Sequence, residues 1–256
     1  MSLTKSYPSR TYVSDVVVIH KTKLSESDLI LNLLTPDGAI IRAVAKSARK
    51  PGNTFSNRLD LLNVAHVCIA KTKNLHIIRE AKLCTSFENL RADFFAFSRA
   101  SLVMELLWRL SFHGQVSPVM WEFVLKTLTL MNNNIFATKE LSITAAFKML
   151  SIEGFRPQLS ICSHCGNLLS CDLDRTAFSP SEGGILCADC ASENNSFEVS
   201  LESVCALRWM ISSTYEEILK DINLVHGKVY ELAKILKWWV RYHIGCNLLS
   251  LQLAIH

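Results

Sequence analysis

The chain has 256 residues, 49% of them hydrophobic, with 27 Lys/Arg against 23 Asp/Glu. That length suits two domains plus a small module better than one core, and the apolar content is enough to pack them. Charges interrupt the longest apolar runs, so no transmembrane helix is expected. No internal repeat or low-complexity tract is present. The formal net charge of +4 is unevenly spread: residues 1–80 hold twelve Lys/Arg and six Asp/Glu, the remainder fifteen and seventeen. The positive excess belongs to the N-terminal part and points to a polyanion-binding face there.

The first eighty residues read as strands. Tyr12 to His20 is rich in β-branched residues. Leu29 to Thr35 and Ala39 to Ala45 flank the turn Pro36-Asp37-Gly38 and predict a hairpin. Lys46 to Arg58 reads as a basic loop. Asp60 to Lys71 and Leu75 to Leu83 read as two more strands, turning at Lys73-Asn74. Five short antiparallel strands suit a small closed barrel of the OB type. An SH3-like barrel fits the same pattern.

From Phe87 the apolar period changes to three and four. Leu90, Phe94, Phe97, Ala100, Val103, Met104, Leu107 and Leu110 predict one long helix ending near Gly114. Ser117-Pro118 predicts the cap and first position of a second helix with Met120, Phe123, Val124, Leu128 and Met131 on its apolar face. A third covers Lys139 to Ile152 and stops at Gly154. Ser200 caps a helix through Ile211, without a capping box because Ser203 stands at the third position. A last helix runs from Leu224 to Leu249. Phe94, Phe95, Phe97, Trp108, Trp121, Trp238 and Trp239 follow helical patterns and are read as core.

Between the third helix and the Ser200 helix lie Cys162-Ser-His-Cys165 and, twenty-one residues later, Cys187-Ala-Asp-Cys190. Two Cys-x-x-Cys pairs at this separation are the pattern of a four-thiolate zinc site. Two intervening residues let one tight turn aim both sulfurs at a common point. Gly166, Gly183 and Gly184 ease the turns, and Asn167 to Leu186 can form a hairpin that joins the pairs. Four thiolates fill a tetrahedral shell, so the expected ion is structural, at one per chain. His164 and Cys171 are further possible ligands, read as bystanders because the shell is already complete. Two disulfides would need an oxidising compartment. Against them, Met1 to Tyr12 is polar and unlike a signal peptide, and nine cysteines is an odd number. Cys68, Cys84, Cys205 and Cys246 also lie in apolar surroundings that read as core. A reducing cytoplasm is expected.

No catalytic constellation is visible. There is no nucleophile elbow, no Gly-rich phosphate loop and no His-x-Glu of the zinc deaminases. Neither an enzyme nor a small-molecule substrate is expected, and the catalytic set is empty.

Several stretches resemble the RecO family of bacterial recombination mediators. They are Asp15 to His20, Glu26-Ser27-Asp28, Ala43-Val44-Ala45-Lys46-Ser47-Ala48-Arg49, Gly154-Phe155-Arg156-Pro157-Gln158-Leu159 leading into Cys162 to Gly166, and Phe178-Ser179-Pro180 through Gly183-Gly184 to Cys187. One departure is Ser47, where the family usually has glycine. The resemblance implies an α+β protein: an OB barrel over residues 1–83, a helical domain over 84–256, and a zinc module inserted at 160–195. It implies a non-catalytic protein of the bacterial cytoplasm and nucleoid. Such a protein binds and anneals single- and double-stranded DNA and helps load RecA onto strands coated by single-strand-binding protein. The implied partners are RecR and the acidic C-terminal tail of that coating protein.

Clustering in the third strand, the loop after it and the later hairpin makes Arg42, Lys46, Arg49, Lys50, Arg58, Lys71 and Lys73 the candidate DNA-binding residues. Arg91, Arg99 and Arg109, spaced along the first helix, are candidates for the partner tail, each with a plain solvated role as the alternative. A protein-interaction scaffold with no direct DNA role is the competing reading.

Overall fold

The computed structural model describes residues 11–73, 75–169, 174–191 and 196–256. Residues 1–10 of the polar N-terminal stretch, Asn74 of the expected turn and Cys171 lie outside the described residues.

Five strands close a barrel in the order β1-β2-β3-β5-β4. They are β1 (Thr11–Lys23), β2 (Leu29–Leu34), β3 (Ile40–Ala45), β4 (Val64–Ala70) and β5 (His76–Thr85). The seam is a short parallel pairing of β3 with β5, Ala43 opposite His76 and Val44 opposite Ile77. This closure is that of an OB barrel, which resolves the SH3-like alternative. β4 begins at Val64, not Asp60, because Asp60 to Asn63 forms a turn with Leu62 at positive φ. The loop after β3 contains a one-turn helix, α1 (Thr54–Arg58), capped by Asn53.

β1 explains the long apolar run at its centre. Period-2 alternation puts Val16 and Val18 in the barrel interior with Leu31, Leu33, Val67 and Ile69. It puts Val17 and Ile19 on the outside, where with Leu34, Leu62 and Val64 they enter the core of the helical part. Both faces of β1 are therefore buried.

The expected first helix is two: α2 (Glu88–Ala92) and α3 (Phe94–Leu110). Asp93 is extended, and its carboxylate accepts the Ala96 N–H at 2.7 Å, an N-cap that starts a new helix. α4 (Val119–Asn133) has Pro118 at its N-cap, not at its first helical position, and proline has no side-chain acceptor to cap it; Ser117, one residue earlier, donates its N–H to Glu153 at 2.9 Å. α5 (Thr138–Ile152) is nearly all buried and packs against α3, α4 and the later helices. α6 (Leu201–Ser212) and α7 (Tyr215–Lys220) follow the cysteine segment. The expected last helix is two, α8 (Asn223–His226) and α9 (Val229–His243), and a further helix, α10 (Leu249–Ala254), follows the turn at Gly245. Among the described residues, no helix is long and apolar enough to cross a membrane.

Five residues expected in the core are not there. Cys84 and Cys205 are exposed, not core. Cys205 points away from the Val204-Leu207-Ile211 face that α6 buries. Phe94, Phe95 and Trp238 are also exposed, whereas Trp121 and Trp239 are buried.

The barrel is joined to the helices by a polar cluster as well as by apolar packing. Asp60 accepts from Lys21 of β1 and, at 2.9 Å, from Arg91 of α2. Arg91 also donates to Leu61 O and, at 2.7 Å, to Asn63 Oδ1. Nearby, the His20 ring stacks on Trp108 of α3, centroids 3.6 Å apart. Burial alone would raise the Asp60 carboxyl, but the Lys21 ammonium, the Leu61 N–H and the Arg91 guanidinium together hold it below the usual carboxylate range. A depressed folded pKa contributes stability above the unfolded value and loses it as pH falls through the folded value. Asp60→Asn is thus expected to cost about 1–3 kcal/mol near neutral pH. In urea melts the gap between parent and variant should shrink below about pH 4.

Candidate metal centre and nucleic-acid interface

The cysteine segment is a three-stranded sheet of order β7-β6-β8, formed by β6 (Arg175–Ser179), β7 (Gly184–Leu186) and β8 (Phe197–Ser200). β6 and β7 make the expected hairpin. β8, just before the Ser200 cap, has no counterpart in the sequence reading. Each Cys-x-x-Cys forms a tight turn. Gly166 N–H donates to Cys162 O at 2.9 Å, and Cys190 N–H donates to Cys187 O at 3.1 Å. Ser163 N–H donates to Ile185 O at 2.8 Å and ties the first turn to β7. The backbones approach so closely that a Cβ on Gly184, at φ +157°, would lie 2.1 Å from Gln158 O. Only glycine fits there.

The result is a cluster of the Cys162, Cys165, Cys187 and Cys190 sulfurs, all within 4.8 Å of one another. Cys165 and Cys187 are 3.7 Å apart. A tetrahedron with metal–sulfur bonds of about 2.3 Å has edges of about 3.8 Å, so four thiolates at this spacing can hold a metal ion. All four cluster cysteines are free thiols. His164 turns to Glu182 at 3.1 Å and stays outside the cluster. Burial raises the Cys162 thiol, but N–H groups of Cys165, Cys187 and His164 donate to its sulfur and bring it down to about 6. Cys190, hydrogen-bonded to the Cys187 sulfur and crowded by the others, is pushed up to about 12. Such crowding opposes four negative charges unless a cation shares the site.

The sheet docks on the helices through Phe178, fully buried against Trp239 of α9 with centroids 5.6 Å apart. Trp239 Nε1 donates to Phe155 O at 2.9 Å. The α6 cap lacks its own glutamate, and Glu231 of α9 supplies one, accepting the Ser200 N–H at 3.1 Å.

The predicted basic residues are spread over the barrel, and all seven side chains are exposed. Lys46, Arg49 and Lys50 share the loop beyond β3, beside the loop joining β1 to β2. Arg49 is also a clamp: its Nη1 donates to Ser25 O and Glu26 O, both at 2.9 Å. Asp28 accepts the Ser47 N–H at 2.7 Å. Ser47 has φ +57°, the left-handed conformation that glycine adopts freely. Arg42 is on the outer face of β3. Lys71 lies 5.0 Å from the Tyr12 ring, and Arg58 donates to Ala81 O at 3.0 Å. The three arginines of the first helical stretch do not share one groove. Arg91 serves the barrel junction. Arg99 donates to Thr138 at 3.0 Å and to Ala254 O at 3.2 Å. Arg109 lines a cleft of about 290 Å³ between barrel and helices, and its Nε–H is buried with no hydrogen-bond partner among the described residues.

Sequence comparison decides the family. Residues 10–87 match the family model "Recombination protein O N terminal", and residues 91–252 match "Recombination protein O C terminal". The chain belongs to the RecO family. The relatives it matches include the DNA repair protein RecO of Dehalococcoides mccartyi (strain ATCC BAA-2266 / KCTC 15142 / 195). Identity there is 31% over 234 residues, covering 87% of this chain and 89% of the relative. The DNA repair protein RecO of Bifidobacterium adolescentis is 27% identical over 245 residues, with 94% and 98% covered. That of Caldanaerobacter subterraneus subsp. tengcongensis is 28% identical over 244 residues, with 94% and 96% covered.

The Ser47 conformation has a measurable consequence. A non-glycine residue in the left-handed region costs about 1 kcal/mol. Ser47→Gly should relieve that strain while keeping the Asp28 bond, and raise stability by about 0.5 kcal/mol in urea melts.

Proposed function

We propose that this chain is a non-catalytic recombination mediator in DNA repair. It binds single- and double-stranded DNA, anneals complementary strands, and helps load RecA onto strands coated by single-strand-binding protein. The observation that carries this reading is an OB barrel that holds the chain's positive excess on its exposed loops, in a chain of this family. Arg42, Lys46, Arg49, Lys50, Arg58, Lys71 and Lys73 would contact phosphate, while barrel loops track the strand. Arg49 would do so as part of the loop it holds in shape.

The proposed partners are RecR and the acidic tail of single-strand-binding protein. For the tail, Arg109 has the best support of the three arginines. Its guanidinium lines the cleft beside the apolar wall of Ile19, Met104 and Trp108, where it would take a carboxylate in competition with Glu105, 3.9 Å away. Arg91 and Arg99 would shape the surroundings. The proposed setting is the bacterial cytoplasm, at the nucleoid. Zinc is the ion proposed for the cysteine cluster, since four soft thiolates in tetrahedral reach favour it over oxygen-seeking cations. Bound there, it would fix the two turns and perform no chemistry.

Two measurements test this reading. Phosphate contacts release counterions, so affinity for single-stranded DNA should fall steeply with salt. Arg42→Ala, Lys46→Ala and Lys50→Ala combined should weaken binding for all sequences alike and lower the log–log salt slope by about 2. Unchanged binding would move the site off the barrel. Elemental analysis should find one zinc per chain, and Cys187→Ser should lose it and loosen residues 161–191 to hydrogen exchange, with no fall in any turnover.

A further inference from the structure

α9 carries more aromatic surface than its packing uses. Its inner face is Leu232, Ala233, Ile235, Leu236, Trp239 and Val240, all buried. On the outer face Tyr230 is 60% exposed, Trp238 41% and Tyr242 58%. Cations alternate with these rings: Lys234 lies 4.8 Å from the Phe197 ring, and the Arg241 guanidinium 5.4 Å from the Trp238 ring. Two hollows run along this face. One, of about 530 Å³, lies between α9 and the metal module and is lined by Phe197, Lys234, Trp238, Arg241 and Tyr242. The other, of about 720 Å³, shares Lys234, Trp238 and Arg241 and continues past Tyr230 to α10. Neither is lined by an acidic residue.

We infer that this face is a second nucleic-acid site, which takes single-stranded DNA by stacking bases on Trp238 and Tyr242 while Lys234 and Arg241 hold phosphates. The chemistry selects this occupant. A run of cations with no acid among them asks for an extended polyanion. Flat rings set between those cations ask for bases whose faces are free, which a single strand offers and a duplex withholds. Steps of four residues along α9 place Lys234, Trp238 and Tyr242 about 6 Å apart, so ring and charge can meet successive nucleotides. An acidic peptide could pair with the same cations, but it offers no series of flat faces to match Trp238 and Tyr242.

The inference rests on the reading that this chain binds DNA, but it adds a surface outside the barrel. The test uses the full zinc-loaded chain and a short oligothymidylate carrying 5-iodouracil. Irradiation should cross-link the oligonucleotide to the α9 peptide holding Trp238 and Tyr242. Trp238→Leu with Tyr242→Leu should weaken binding about tenfold with the salt slope unchanged. Lys234→Ala with Arg241→Ala, which leaves the rings in place, should lower the slope by about 1.4. Cross-links confined to barrel peptides, with both variants binding as the parent does, would overturn the inference and leave the proposed function standing. A parent that binds no DNA would remove both. If a peptide of acidic residues ending in phenylalanine loses affinity in these variants while DNA does not, the face is a peptide site and the inference fails.

Discussion

The structure depends on burial of the outer face of β1 and its neighbours against α3. The barrel interior holds Val16, Val18, Leu31, Leu33, Val67 and Ile69 among alanines such as Ala43, Ala45 and Ala65. The lumen of one five-stranded barrel is a small core, and small cores bury a smaller share of the surface of their chain. Val17, Ile19, Leu34, Leu62 and Val64 add a second apolar layer outside, continuous with the helical core. Gly38 permits this contact at the hairpin tip: a Cβ there would meet Val116 O at 2.6 Å. The polar cluster around Asp60 then fixes the orientation that apolar contact, being non-directional, leaves open.

The metal module repeats this arrangement on a smaller scale. Its strands are too short to own a core, so Phe178, Ile185 and Val199 join the helical one. The cysteine cluster gathers the two Cys-x-x-Cys turns that flank the sheet. Trp239 is shared by both regions, and its one polar atom is satisfied by Phe155 O at 2.9 Å. That bond explains why a tryptophan can be so deeply buried here.

What was legible in the sequence follows from the range of each signal. Strand alternation and Cys-x-x-Cys spacing are local, and both produced the barrel and the cluster with small errors at the ends. The breaks at Asp93 and Gly227 were hidden because the apolar period runs through them, and only the capping geometry of Asp93 reveals the first. Trp238 and Trp239 are adjacent, yet one faces solvent and the other the core, which composition does not separate. The part Arg49 plays was out of reach because its acceptors are backbone carbonyls more than twenty residues away, and carbonyls leave no trace in sequence. Helical spacing suggests an outward role for Arg91, while its acceptors Leu61 O and Asn63 Oδ1 come from the turn before β4.

The bonds from Asp28 to Ser47 and from Arg49 to Ser25 and Glu26 have a consequence for entropy. A free loop would surrender roughly 1–2 kcal/mol per residue as its backbone ordered on a ligand. Here the adjoining loops are ordered before any ligand arrives, so Lys46 and Lys50 present their charges from a fixed frame. The same rigidity denies the loop a wide repertoire of shapes. On the proposed function, such a surface would discriminate among strands by the path their backbones follow, with little regard to the bases they carry.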